Sequence, residues 1–278
     1  MTNDRLCEEI RPQLDNLAVV LVRPKFAENI GAAARLCHNM GIGRLILVRD
    51  EEPDGERMRM MATHNAVKVL DAMERYPTLA AALAPFSHVV GTSARTGRQR
   101  RNCSSPREMA AGLVGLLAAN RVALVFGPED RGLENEDLAL CNQLVTIATV
   151  GFSSLNLAQA VAILCHETLA ALLEVHHRGG GGAAPKQATS VEMENMYRHA
   201  DEALRKIGFL KEGDHEYWMR SIRQFLGRIG MRSREVRLLR GVCRQFLWYE
   251  NRRAARRGDE AGDGERKDGN DGAESYPA

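Results

Sequence analysis

Between Leu17 and Val175 the sequence alternates short β-branched runs with longer stretches of helical periodicity, and few folds accommodate that order. Leu17 to Val22, Arg44 to Val48, His88 to Gly91, Arg121 to Gly127 and Leu144 to Thr149 read as buried strands. Asn29 to Met40, Pro106 to Ala119 and Leu155 to Glu174 read as helices. Strands apolar on both faces and separated by helices belong in a parallel sheet covered on both sides, so an α/β class is expected. The first helix is the best marked. Asn29 is a candidate N-cap, Ile30, Ala33, Ala34 and Cys37 form a stripe at i, i+3, i+4 and i+7, and Gly41 can end it. Arg35 lies off that stripe.

Composition divides the chain further. Gly179 to Pro185 is a flexible linker by composition. The expected organisation is a first domain at 1–178 with its core at about 17–175, a connection at 179–189, and a small α-helical domain at 190–253. Residues 254–278 offer almost nothing apolar to bury, and a disordered tail is expected there.

The formal net charge of +2 over 278 residues conceals a partition: residues 1–185 sum to −1, 186–253 to +6 and 254–278 to −3. In the helical segment Arg220, Arg223, Arg228, Arg232 and Arg237 interleave with Ile222, Phe225, Leu226 and Ile229. That pattern suits a grip on a nucleic-acid backbone, and equally a bundle whose solvated face uses arginine. A second basic cluster, Arg95, Arg98, Arg100 and Arg101, follows the small residues Gly91-Thr92-Ser93-Ala94 at the end of a strand. The C-terminal ends of such strands are where α/β sheets place ligands, and arginines there can hold phosphates. A solvated surface loop is the competing reading.

Several classes of function are excluded. With 44% hydrophobic and 27% charged residues the chain is no disordered polymer, and its near-neutral balance rules out coating nucleic acid by charge alone. An aromatic content of 5% argues against binding single strands by successive base stacking. The apolar runs fall short of the roughly 20 residues a membrane span requires, and the N-terminus lacks the order of a signal peptide, so a cytoplasmic protein without a membrane partner is expected. The six cysteines are scattered with no C-x-x-C pair. His166-Glu167 begins like a zincin helix, but Ala170 stands where the second histidine is needed, and no metal site is expected.

Three segments carry a chemical signal. Asn29, Gly31 and Arg35 sit where a strand turns into an alanine-rich helix; Phe126-Gly127-Pro128-Glu129 with Gly132-Leu133 forms a glycine-bounded acidic turn; Ser153-Ser154-Leu155-Asn156 leads into a helix. Taken singly, helix caps, tight turns and a surface ion pair account for them. Together, in this order and each after a strand, they resemble the signature of the SpoU branch of the SPOUT RNA methyltransferases: N-x-G-x-x-x-R, then F-G-x-E-x-x-G-L, then S-L-N. The likeness extends to the TrmJ-type tRNA 2′-O-methyltransferases through Gly91 to Arg95 (G-T-S-A-R), Ile207 to Leu210 (I-G-F-L) and Leu238 to Gly241 (L-L-R-G).

The resemblance implies a parallel-sheet SPOUT domain with a C-terminal trefoil knot, and S-adenosylmethionine as cofactor. It places cofactor contacts on Thr92, Ser93, Ala94, Gly127, Ile147, Ser153, Ser154 and Leu155. It assigns Arg35 to the 2′-hydroxyl that receives the methyl, with Asn29, Glu129, Ser154 and Asn156 completing the catalytic group. A guanidinium is a poor proton acceptor at neutral pH, so Arg35 is read as orienting the hydroxyl and stabilising developing negative charge. A homodimer, a tRNA substrate and methylation at anticodon-loop position 32, on cytidine or uridine, are likewise implied. The alternatives are a relative acting on ribosomal RNA or another tRNA position, and a non-catalytic RNA-binding module.

Overall fold

The structure, a computed structural model, describes residues 3–93, 103–151, 154–180, 182–211 and 213–264. The first part contains α1 (Asn3–Leu14), β1 (Leu17–Val22), α2 (Ala27–Asn39), β2 (Arg44–Val48), α3 (Gly55–Asp71), β3 (Glu74–Tyr76), α4 (Leu79–Leu83), β4 (His88–Thr92) and β5 (Cys103–Ser104). It continues with α5 (Pro106–Leu117), β6 (Val122–Phe126), α6 (Asn135–Ala139), β7 (Gln143–Val145) and α7 (Leu157–His177). The strands form one sheet in the order β3-β2-β1-β6-β4-β7-β5, and every described pairing is parallel.

The two-residue period of a strand sorts the core into two layers. Leu17, Val19 and Leu21 of β1 face one layer, where Ile30 and Cys37 of α2, Leu113 of α5, and Val161 and Leu164 of α7 pack on the sheet. Ala18, Val20 and Val22 face the other, a thinner layer closed by Leu79 and Leu83 of α4 and by Phe86. All six residues of β1 are buried, as expected for a central strand covered on both sides. α7 is 21 residues long and apolar enough by composition to cross a bilayer, but Leu157, Val161, Leu164, Cys165 and Leu172 are spent on the core.

Some boundaries differ from expectation. α2 begins at Ala27 after Phe26, and no side chain caps it. Asn29 is therefore not the N-cap; it occupies the third helical position, and its side chain is engaged elsewhere. Gly31 lets α3 approach: a Cβ there would lie 2.0 Å from the Met58 carbonyl oxygen. β7 ends at Val145 rather than Thr149, because residues beyond Thr146 leave the sheet.

α8 (Ser190–Lys206), α9 (His215–Ile229) and α10 (Ser233–Gly264) follow. Ala188, Met196, Tyr197, Leu210, Met219, Met231 and Val236 form their own small core. α10 runs to Gly264, past the expected boundary at Arg253, because Ala254, Ala255, Arg256 and Arg257 propagate a helix readily. The remainder of the expected tail, 265–278, lies outside the described residues.

Candidate functional site

Three loops at the C-terminal end of the sheet are tied by one run of hydrogen bonds. Glu129, after β6, accepts the Lys25 backbone N–H on one oxygen at 2.8 Å and Asn29 Nδ2 on the other at 2.6 Å. Asn29 Oδ1 accepts Asn156 Nδ2 at 3.0 Å. Asn156 Oδ1 caps α7, accepting the N–H groups of Ala158 and Gln159 at 2.9 and 3.3 Å. A single carboxylate therefore joins the start of α2 to the loop after β6, and through Asn29 to the start of α7.

A second clamp holds the same loop from the far side. Arg23, in the left-handed region at φ 48°, pairs with buried Asp137 and approaches Glu134 to 3.7 Å. Asp137 in turn accepts the Glu134 backbone N–H at 3.0 Å, closing a capping box on α6. Non-glycine residues in that backbone region carry strain that surrounding contacts must offset, and such residues gather at functional sites. No local spacing announces Arg23; its partner is 114 residues away.

Between these ties lies a cavity of about 240 Å³. Thr92 and Ser93 line it from the end of β4, Gly127, Glu129 and Leu133 from the loop after β6, Ile147 from the segment after β7, and Ser154 and Leu155 from the approach to α7. Thr92 Oγ1 donates to the Val125 carbonyl at 3.1 Å, and the Ser93 N–H to that of Val145 at 3.0 Å. Gly127 is indispensable to the turn: a Cβ there would lie 2.3 Å from both the Gly132 carbonyl carbon and the Leu133 nitrogen. The walls combine main-chain groups, small hydroxyls and the apolar faces of Phe126, Leu133 and Leu157. Such a lining takes a ligand part polar and part apolar, and fits an adenosine-bearing sulfonium held largely by backbone.

Of the residues singled out in the sequence, Thr92, Ser93, Gly127, Glu129, Ile147, Ser154 and Leu155 meet at this cavity, with Asn29 and Asn156 joined to it through Glu129. Ala94, Ser153, Arg95, Arg98, Arg100 and Arg101 lie outside the described residues. Arg35 is exposed on α2 and does not line the cavity of its own chain. It stands six residues beyond Asn29, about 9 Å along the helix axis. Phe126 and Leu133, the ends of the second motif, also line the cavity, as do Val145 and Leu157, which the sequence does not distinguish from core residues.

In the helical segment Arg220, Arg228, Arg232 and Arg237 are exposed. Arg223 is committed to structure: it makes two bonds to Glu194, at 2.5 and 2.7 Å, and stacks 4.5 Å from the Tyr197 ring centroid. That ion pair raises the Arg223 pKa and holds the Glu194 carboxyl below its ordinary value.

A parallel sheet with a backbone-walled cavity across its strand ends, closed by a Glu129–Asn29–Asn156 tie, defines an α/β enzyme of the kind that binds a nucleoside-bearing cofactor. Residues 16–166 match the model of the SpoU rRNA Methylase family, and residues 191–260 that of the tRNA methyltransferase TrmJ, C-terminal domain. The chain belongs to the SpoU methylase family. It is 37% identical over 240 residues to the tRNA (cytidine/uridine/adenosine-2′-O-)-methyltransferase TrmJ of Pseudomonas aeruginosa, covering 82% of this chain and 93% of that protein. Identity to the tRNA (cytidine/uridine-2′-O-)-methyltransferase TrmJ of Salmonella typhimurium is 35% over 235 residues, 82% of this chain and 95% of the relative. Among solved structures, TrmJ from Z. mobilis ZM4 superposes with a TM-score of 0.69 at 33% identity, over 83% of this chain and 98% of that one. A probable methylase family protein from Haemophilus influenzae Rd KW20 gives 0.56 at 27% identity, over 86% and 98%.

Proposed function

We propose that this protein transfers a methyl group from S-adenosylmethionine to a ribose 2′-hydroxyl of tRNA, at anticodon-loop position 32 on cytidine or uridine. The observation that carries the tRNA reading is that the likeness continues through the helical segment, residues 191–260, rather than ending with the catalytic domain. When bound, S-adenosylmethionine supplies an electrophilic methyl on a sulfonium.

The chain's own residues do the rest. Thr92, Ser93, Ser154 and the main chain around Gly127 hold the polar parts of the cofactor, and Phe126, Leu133, Ile147 and Leu157 exclude water from its apolar parts. Glu129, with a donor on each oxygen, holds the loops together. The trefoil knot belongs to the same proposal; the match of residues 16–166 to the SpoU rRNA Methylase family supports it.

Arg35 orients the hydroxyl and stabilises its developing charge in a cavity contributed by a second copy of the chain. Its exposure away from its own cavity supports a homodimer. The exposed arginines of α9 and α10, with Arg95, Arg98, Arg100 and Arg101, grip the tRNA backbone. The activity belongs in the cytoplasm, where that substrate is.

Incubating purified protein with S-adenosylmethionine and total RNA, then mapping 2′-O-methyl nucleotides, tests this directly. A new mark at tRNA position 32 is expected. A mark confined to ribosomal RNA, which the name of the matched family would suggest, overturns the substrate, and no mark with no cofactor binding overturns the enzyme.

A further inference from the structure

The connection between the two parts of the chain reads as flexible from its glycines, yet its later half is fastened. Asn120, just after α5, is 2% exposed and spends both ends of its amide on that connection. Its Nδ2 donates to the Pro185 carbonyl at 3.2 Å, and its Oδ1 accepts the Gln187 N–H at 2.7 Å. The Ala184 N–H donates to the Gly115 carbonyl at 2.9 Å. The next residue after Gln187, Ala188, donates to the Met231 carbonyl at 2.7 Å, in the turn between α9 and α10. A buried side chain of the catalytic domain is thus two hydrogen bonds from the turn that joins the basic helices.

Two further anchors join the same two parts of the chain. Ser190, at the start of α8, directs its N–H and its hydroxyl to the Phe86 carbonyl at 2.7 and 3.0 Å. Asn142 accepts the Val89 N–H at 2.8 Å and donates to the Gly227 carbonyl of α9 at 3.4 Å. An amide is the side chain that serves one acceptor and one donor at once; aspartate loses the donor and alanine loses both.

We propose that Asn120 is a positioning residue: it fixes the basic helices at one orientation to the cavity and so sets which nucleotide of a long RNA reaches that cavity. This rests on the reading that α9 and α10 grip the tRNA backbone. Phosphate contacts carry no sequence information and fix only register, so the distance between grip and cavity selects the target. A free connection of eleven residues, 179–189, would wander over roughly 18 Å, several nucleotide spacings of about 3.4 Å. Holding Pro185 and Gln187 removes that freedom.

The test compares full-length wild type with Asn120→Ala and Asn120→Asp. Hydrogen exchange at Ala184 and Gln187 reports docking. Methylation mapping and kinetics use a full-length tRNA and an anticodon stem-loop too short to reach the helices. In Asn120→Ala, exchange speeds about tenfold, kcat/KM on full-length tRNA falls about tenfold, and the mark spreads to neighbouring nucleotides. Cofactor affinity and stem-loop kinetics stay at wild-type values, and Asn120→Asp falls between. A loosened connection with an unchanged mark on full-length tRNA overturns the proposal, as do equal losses on both RNAs. If Asn120→Ala does not fold, Asn142→Ala loosens the second anchor and must give the same spread. If wild type methylates no tRNA, the functional reading fails instead, and unchanged exchange would still refute docking by Asn120.

Discussion

Replacing Glu129 by glutamine separates a residue that holds loops from one that takes part in the reaction. The carboxylate accepts two donors, Asn29 Nδ2 at 2.6 Å and the Lys25 N–H at 2.8 Å. Glutamine has the same shape but one acceptor oxygen, so in either orientation its NH₂ faces a donor. One charge-assisted bond is lost outright and the other becomes neutral. Bonds to charged groups contribute about 1.5–3 kcal/mol each, and Glu129 is only half-buried, so a loss of about 2 kcal/mol is expected. For a cooperative unit of this size that lowers the melting temperature by roughly 4–8 °C. The same change frees the loop carrying Gly127 and the cap of α7, so S-adenosylmethionine affinity falls together with stability. Thermal unfolding followed by circular dichroism, and calorimetric titration with the cofactor, give both numbers. A variant that melts with wild type and binds cofactor equally well would refute the tie; if its turnover were also lost, Glu129 would be acting on the reactants.

Arg35→Lys keeps the charge and loses the planar fork, so turnover falls roughly tenfold or more while cofactor affinity is unchanged; a lysine variant with wild-type turnover excludes the bidentate role. Neutralising two exposed arginines of the helical segment, Arg232→Gln with Arg237→Gln, weakens tRNA binding and lowers the slope of log affinity against log salt by about 2. An unchanged slope in filter binding places the grip elsewhere. The Arg223 guanidinium holds the Glu194 carboxyl below its unfolded value, near ~4.3. The pair therefore contributes fully above that value and is lost as pH falls through the lower folded one. Melting of the helical segment should drop as pH falls below the unfolded carboxyl value, and Arg223→Gln should flatten that drop.

β1 and β2 are legible in the sequence to the residue, because strands buried on both faces carry runs of apolar residues, Leu17 to Val22 and Leu45 to Val48, that end where polarity begins. α3 is not: Met58, Met60 and Met61 alternate with Arg57 and Arg59, and Thr63 breaks the helix at φ 63°. β3 and β5, three and two residues long, and the five-residue α6 are too short for any periodicity. Asn29 shows the limit of local rules. Ahead of an apolar stripe it resembles a cap, yet its contact partner is 100 residues away and lies on another loop. Glycine run 179–182 misleads in the same way, since composition says how freely a segment can move and not whether Asn120 will hold its far end.

The motifs therefore identify the parts of the site but not how the parts meet. Within one chain they converge on Glu129 and the cavity, except Arg35, which α2 carries about 9 Å past Asn29. Arg35 is thus carried away from the cavity of its own chain, which supports the proposal that it acts at the cavity of a second copy. A two-fold pairing resolves this, because an isologous contact presents the same surfaces twice and each copy lends its Arg35 to the other. Catalysis, on this reading, requires two copies, whereas the choice of nucleotide is made within each copy, where Asn120 ties the basic helices to the catalytic domain.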